Sequence, residues 1–284
     1  MRNSVPHYGL LTNPSNEILA EIVKAYELDF EYVEVGIEGP EGHPLMMKKK
    51  KDNILNLLQK FSHKPIAHTP YWIDLCSDYE HVRHAWVLEA KREIRIARMI
   101  EIDLINFHAN LNGMFYGEKR KVLLDNMIKS LREIVSYAHK YQIRVMLENV
   151  PRSNGIHNID EFKYIIDNVG SLFVHLDIPH AFTSGGMKSV IDYLSTFKDK
   201  IVHVHWHDNH GTGDEHLPVG SGLIDHQKAL KALKNINYDR TITLEVFTNS
   251  NDARSSANKL KTMWSEDLQQ LVADELFFRL VLSS

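Results

Sequence analysis

A short apolar run followed by a longer stretch of helical periodicity recurs eight times along this chain, and that recurrence leaves few folds open. Tyr8–Thr12 reads as the first strand, with Asn13 as the cap of the helix after it and Pro14 at that helix's first position, where a missing N–H costs little. Phe30–Ile37 is the second strand, followed by a helix to about Phe61. Pro65–Thr69 is the third; Ser77 and Glu80 then have capping-box spacing before a helix from about Asp78 to Glu101. Leu104–His108 is the fourth strand, with a helix from about Arg120 to Tyr141. Arg144–Asn149 is the fifth, and Asn158 with Glu161 resembles a second capping box before a helix to Val169. Leu172–Ile178, Ile201–His207 and Thr241–Phe247 complete the set, with helices near Lys188–Phe197 and Asp225–Asn235 and a helical tail. Parallel strands buried on both faces read as apolar runs rather than clean alternation, which is the pattern here. Eight such units predict a closed parallel (β/α)8 barrel, a TIM barrel, in preference to an open doubly wound sheet.

The barrel accounts for all 284 residues as one expected domain, because no stretch is rich enough in Pro, Gly or Ser to read as a linker. Lys48–Lys51, a basic run, reads as the solvated start of a helix. Hydrophobic residues at 43% and charged residues at 25% exclude a disordered or collagen-like chain. No apolar run approaches the roughly 18–20 residues that span a bilayer. The first residues hold no apolar signal core, and the lone Cys76 has no partner for an internal disulfide; a reducing, cytoplasmic setting is expected. A net charge of -4 argues against a generally basic nucleic-acid binder.

The strand ends carry the chemistry. The third ends at His68, the fourth at His108, the fifth at Glu148-Asn149 and the sixth at Asp177-Ile178-Pro179-His180. The seventh gives His205-Trp206-His207-Asp208 and the eighth ends at Glu245. In a parallel barrel these six ends face one mouth, where catalytic residues gather. Carboxylates crowded there repel one another, and a divalent cation removes the conflict, with imidazoles donating lone pairs. Mixed N and O donors suit Zn, with Mn or Fe as alternatives, better than Ca or Mg. Any one of these residues alone reads more simply as a hydrogen-bonded structural group; six coincidences at one end of one repeated unit reverse that reading for the set. His175 and His203 lie two residues before ligand candidates, so they face the same side deeper in the barrel and read as supporting or structural. His7, His43, His63, His81, His84, His139, His157 and His226 read as surface or loop residues. A Gly-rich loop after the seventh strand adds Asp214 and His216, two apart and able to face the same way.

At Asp177-Ile178-Pro179-His180-Ala181-Phe182, at His205-Trp206-His207-Asp208 and at Asp214-Glu215-His216-Leu217-Pro218-Val219-Gly220-Ser221-Gly222, the chain resembles the endonuclease IV / xylose isomerase-like superfamily of TIM barrels. The resemblance covers nearly the whole chain. It implies a site for up to three metals, most simply zinc. His68, His108 and Glu148 would hold one, and Glu148 would bridge to a second held by Asp177, His205 and Glu245. His180, Asp214 and His216 would hold the third. The superfamily's sugar isomerases and epimerases usually use one metal, on residues matching Glu148, Asp177, His205 and Glu245, and generally lack the Asp-x-His pair. Tyr71 matches a DNA-contacting tyrosine of endonuclease IV. The loop Glu38-Gly39-Pro40-Glu41-Gly42-His43-Pro44 departs from that enzyme, being acidic and without arginine; the loop Ala109–Gly117 also differs in composition.

Two activities follow from the resemblance. The first is metal-dependent hydrolysis of a phosphate ester, including a phosphodiester of damaged DNA. The second is isomerisation or epimerisation of a small sugar or sugar-phosphate, with Glu148 and Glu245 moving the proton as general base and acid. Glu148 and Glu245 are the expected catalytic carboxylates, Glu245 serving in the hydrolase to hold the metal electrostatically together with Asp177.

Overall fold

Eight strands close into a barrel in sequence order, β1 (His7–Leu11), β2 (Tyr32–Gly36), β3 (Ile66–His68), β4 (Leu104–His108), β5 (Arg144–Glu148), β6 (Leu172–Asp177), β7 (Ile201–Trp206) and β8 (Thr241–Leu244). This computed structural model describes residues 5–111, 117–151, 155 and 158–282. Every strand pair is parallel, and β1 closes on β8 with Gly9 opposite Thr243. The expected parallel (β/α)8 barrel is therefore present. Helices α1 (Ile18–Glu27), α2 (Pro44–Lys49), α3 (Lys51–Leu58), α4 (Glu80–Met99), α5 (Gly117–His139), α6 (Ile159–Asn168), α7 (Ile178–Thr196), α8 (His226–Asn235) and α9 (Ser250–Leu282) are distributed along the connections.

Two apolar regions hold it together. The larger lies between strands and helices and includes Ile22 of α1, Ile94 of α4, Leu131 of α5 and Leu244 of β8, all fully buried. Each such side chain contributes about 1.5–3 kcal/mol. A smaller cluster of Tyr32, Ile66, Leu104, Met146 and Val202 draws on residues at or near the start of five strands. It plugs the N-terminal end of the barrel and leaves the polar residues the other end. Gly9 lets the Tyr32 ring cross the interior: a Cβ there would stand 2.4 Å from that ring. The Tyr32 hydroxyl then meets Thr243 Oγ1 at 2.8 Å.

Several boundaries differ from the sequence reading. Asn13 does not cap α1; its Oδ1 accepts from Ser15 N at 2.9 Å in a local turn, and Glu17 takes the capping role, accepting from Ala20 N at 2.8 Å. A short polar side chain that finds its own backbone partner delays a helix in this way. Ser77 does not cap α4, which starts after Tyr79 with no side-chain cap. Glu80 pairs instead with Arg83 at 2.7 Å and Lys129 at 2.9 Å. Asn158 does cap α6, accepting from Asp160 N at 2.8 Å, but Glu161 turns to Arg120. The region before Phe61 holds two helices, and Lys48–Lys51 spans the end of α2 and the start of α3. The helix after β6 begins at Ile178, well before Lys188, because Asp177 caps it and Pro179 suits its first turn; Gly185 and Gly186 interrupt it.

Candidate metal centre

The side chains at the C-terminal ends of the strands converge as the barrel's parallel register requires. His108 lies opposite Glu148, Asp177 opposite His205, and Gly36 opposite His68. A register shift at Val174/His175 carries β6 on to Asp177. His108 Nε2 stands 3.2 Å from Glu148 Oε2 and His68 Nε2 stands 3.7 Å from it. The other Glu148 oxygen faces the seventh strand, with His205 Nδ1 at 3.9 Å and His180 Nδ1 at 3.5 Å. His205 Nδ1 is 3.2 Å from Glu245 Oε2 and 3.8 Å from Asp177 Oδ2. Asp214 Oδ2 is 3.1 Å from His180 Nε2 and 3.2 Å from His216 Nε2. All nine residues expected from the sequence are thus brought to one mouth, and Glu148 stands between two groups of partners.

Local structure fixes their aim. Asn106 Nδ2 donates to Glu148 Oε2 at 2.6 Å. Asn149 ties the fifth strand to the sixth, its Oδ1 accepting from Asp177 N at 2.9 Å and its Nδ2 donating to Asp177 O at 2.8 Å. Asp177 Oδ1 caps α7 by accepting from His180 N at 2.5 Å, which leaves Oδ2 directed at the centre. On the deep side, His205 Nε2 and His203 Nε2 both reach Glu34 Oε2, at 3.0 and 2.9 Å, and His203 Nδ1 meets Thr241 Oγ1 at 2.8 Å. One proton assignment satisfies this chain: both imidazoles donate to Glu34 through Nε2, so His205 Nδ1 is the nitrogen left to face the mouth.

The donor set fits divalent ions. His68 Nδ1 and Nε2, His108 Nδ1, Asp177 Oδ2, His205 Nδ1, His207 Nε2 and Glu245 Oε2 are buried without a hydrogen-bond partner, a costly arrangement unless something else satisfies them. Tetrahedral coordination at bonds of about 2.0–2.1 Å sets neighbouring donors roughly 3.3 Å apart. The 3.1–3.3 Å separations around Asp214, between His108 and Glu148 and between His205 and Glu245 match that edge. Electrostatics agree. Burial pushes the Asp214 carboxyl up, but the imidazoles of His180, His207 and His216 outweigh it and hold it far below the usual range. Burial pulls His68 down, yet Glu148 and Glu34 lift it to about 9. Burial raises Asp177 to about 6. A cluster this charged and this enclosed is one that cations stabilise.

The mouth opens into a cavity of about 700 Å³ lined by His68, His108, Glu148, His180, Asp214, His216 and Glu245. Tyr71, Trp72 and Phe247 stand on its rim, with Tyr71 58% exposed, and the Glu38 side of the acidic loop closes another edge. Residues 112–116 of the loop after His108 lie outside the described residues, as does His157.

Three residues escaped the sequence reading. Glu34 is the lone carboxylate within the otherwise uncharged β2 and is fully buried. His207 continues the period-two series His203, His205 along the seventh strand and is fully buried too. His226 is not a surface residue: it is 6% exposed, accepts from Trp206 Nε1 at 3.0 Å and meets Asp208 Oδ2 at 2.9 Å, because the loop after β7 folds back onto α8. The other histidines set aside behave as expected where described. His7 pairs with Glu31 and stacks on His63, His43 caps α2, and His81, His84 and His139 are exposed.

Comparison with known proteins places this architecture. The family model for a xylose isomerase-like TIM barrel matches residues 22–268. An uncharacterized protein of Methanocaldococcus jannaschii is 30% identical over 91% of this chain and 88% of its own length. A probable endonuclease 4 of Aquifex aeolicus is 27% identical over 82% of this chain and 86% of its own. The crystal structure of a D-tagatose 3-epimerase-like protein superposes with a TM-score of 0.82 at 27% identity, covering 94% of this chain and 99% of the other. The matched span, the closed eight-stranded barrel and the donors gathered at its mouth agree: the chain belongs to the xylose isomerase-like TIM-barrel family.

Proposed function

We propose that this protein is a divalent-metal-dependent phosphoesterase acting on a small, sugar-like phosphate ester, with zinc as the leading metal and manganese or iron as alternatives. The observation that carries the reading is the full set His68, His108, Glu148, Asp177, His180, His205, Asp214, His216 and Glu245 around one cavity, with several of their ligating atoms buried and unpartnered. Bound divalent ions supply charge for a phosphate, a more acidic water and stabilisation of the leaving oxygen. The chain's own residues do the rest. Glu148, held by Asn106, offers one oxygen to the His68 and His108 side and the other to the His180 and His205 side, so it can accept a proton at the boundary of two sites. Glu245 and Asp177 set negative charge against His205. The cavity, about 700 Å³, has the size of a small-molecule site. The acidic stretch Glu38–Pro44 opposes tight binding of duplex DNA, which needs several cationic contacts. Cleavage of abasic duplex is therefore expected to be weak.

A second reading, epimerisation of a sugar or sugar-phosphate, is favoured by one observation. Glu148 and Glu245 approach His205 Nδ1 from different strands, an arrangement suited to removing and returning a proton as base and acid. The relatives' names support both readings. The test is elemental analysis of protein purified without added metal, followed by assays on phosphate monoesters, an abasic duplex, and ketoses with their phosphates. More than one ion per chain and phosphate release support the phosphoesterase. One ion and clean ketose epimerisation without phosphate release would replace it with the epimerase.

A further inference from the structure

We propose that His207 is a fourth protein ligand of the ion held by His180, Asp214 and His216, making a closed His3Asp site that pins the 209–217 loop over the barrel mouth. The proposal rests on the metal-enzyme reading above and deepens it, because it assigns one ion a structural role and leaves the chemistry to the sites around Glu148.

Three imidazoles here are built in one way. His180 Nδ1 meets the carbonyl oxygen of Asn149 at 2.9 Å, His216 Nδ1 that of Glu245 at 3.0 Å and His207 Nδ1 that of Asp208 at 3.1 Å. A carbonyl only accepts, so each ring carries a proton on Nδ1, which leaves Nε2 as the nitrogen available to a metal. A backbone carbonyl behind the ring is the usual support of a metal-binding histidine. The three Nε2 atoms then surround a single carboxylate. His180 lies 3.1 Å and His216 3.2 Å from Asp214 Oδ2, and His207 lies 3.3 Å from Asp214 Oδ1.

His207 is the telling member. Its side chain is fully buried, and its Nε2 makes no hydrogen bond despite the Asp214 oxygen at 3.3 Å and Asp177 Oδ2 at 4.0 Å. A cation shared by this nitrogen and the Asp214 and Asp177 oxygens would satisfy all of them at once. His207 and His216 pack ring against ring, with centroids 4.3 Å apart and planes at 33°. His216 is held at a φ of +49°, a left-handed conformation unfavourable for a non-glycine residue, which the surroundings must enforce. Asp208 and Leu217 exchange backbone hydrogen bonds of 2.8 and 3.0 Å at the base of the loop, so the ion would tie down a segment already closed at its root. Four protein ligands leave no open position, as in structural zinc sites; His68, His108 and Glu148 supply three and leave one.

The experiment uses the full chain loaded with cadmium-113. In the wild type, the imidazole nitrogens of His180, His207 and His216 are expected to show scalar coupling to the same cadmium nucleus. Coupling to His180 and His216 without His207 overturns the proposal. In parallel, His207→Asn is titrated with zinc against a chelator. The expected result is loss of affinity for one ion by about 10-fold or more, with faster proteolysis between Gly211 and Glu215 and the remaining ions kept. Unchanged affinity for every ion overturns the proposal. His68→Ala provides the contrast: it is expected to weaken a different ion while the shared coupling of the three imidazoles persists. A wild type that binds no divalent ion overturns both this proposal and the metal-enzyme reading.

Discussion

Replacing Asp208 by Asn tests how the barrel mouth is held together, because one carboxylate organises the whole return of the chain after β7. Asp208 is fully buried. Its Oδ1 accepts from Asn209 N at 2.9 Å and Ile224 N at 3.2 Å; its Oδ2 accepts from Gly220 N and Gly222 N at 2.9 Å each. His226 Nε2 adds a bond to Oδ2 at 2.9 Å, and since Trp206 Nε1 donates to the other ring nitrogen, that Nε2 carries the proton. Asp208→Asn keeps the shape but turns one oxygen into an amide nitrogen facing three donors. Hydrogen bonds to a charged group are worth about 1.5–3 kcal/mol each, and three of them do not add in full because the loop relaxes. A loss of about 3–4 kcal/mol is expected at neutral pH. The pH dependence has a definite sign. Burial pushes the carboxyl up, but His226 and the backbone N–H groups outweigh it and bring it to about 2. A depressed carboxylate stabilises the fold above its unfolded pKa and loses that contribution as pH falls through the folded value. The difference between wild type and variant, measured by urea unfolding of metal-free protein, should therefore shrink by about 2 kcal/mol between roughly pH 6 and pH 2. A difference below about 1 kcal/mol at neutral pH, or one that does not change with pH, would refute the reasoning.

Three further outcomes are expected. Glu148→Gln should fold, with an unchanged circular dichroism spectrum, and lose at least about 100-fold in turnover on whichever substrate is found; wild-type turnover would exclude both activities. Glu34→Gln should lower zinc affinity by about 10–100-fold, read by chelator competition, because it removes the charge that orients His205; equal affinity would show that Glu34 only fills space. Gly222→Ala should cost about 1–3 kcal/mol, seen as a lower thermal midpoint, since a Cβ there would stand 2.4 Å from Asn209 O and 2.5 Å from Asp208 Oδ1; an unchanged midpoint would mean the loop yields freely.

The chain alone determined the number and order of the strands, because an apolar run buried on both faces leaves a mark in sequence that no surface segment imitates. It also determined that His68, His108, Glu148, Asp177, His205 and Glu245 share one end, since each stands at the end of its run and parallel strands have only one such end. Helix starts were less legible. Asn13 and Glu80 have capping chemistry, yet their side chains found a local turn and ion pairs, and those competitors depend on what lies nearby in space. The tertiary structure alone decided the pairings. Glu34 and His203 are 169 residues apart in sequence and meet only when the barrel closes β2 toward β7. His226 looked like a loop residue until the chain after β7 folded back and placed Asp208 against it. The buried nitrogen of His207 faces Asp214, which is brought there by a loop whose path no periodicity records. Periodicity encodes which way a side chain points along its own strand; which distant group meets it is set by barrel closure and by loops.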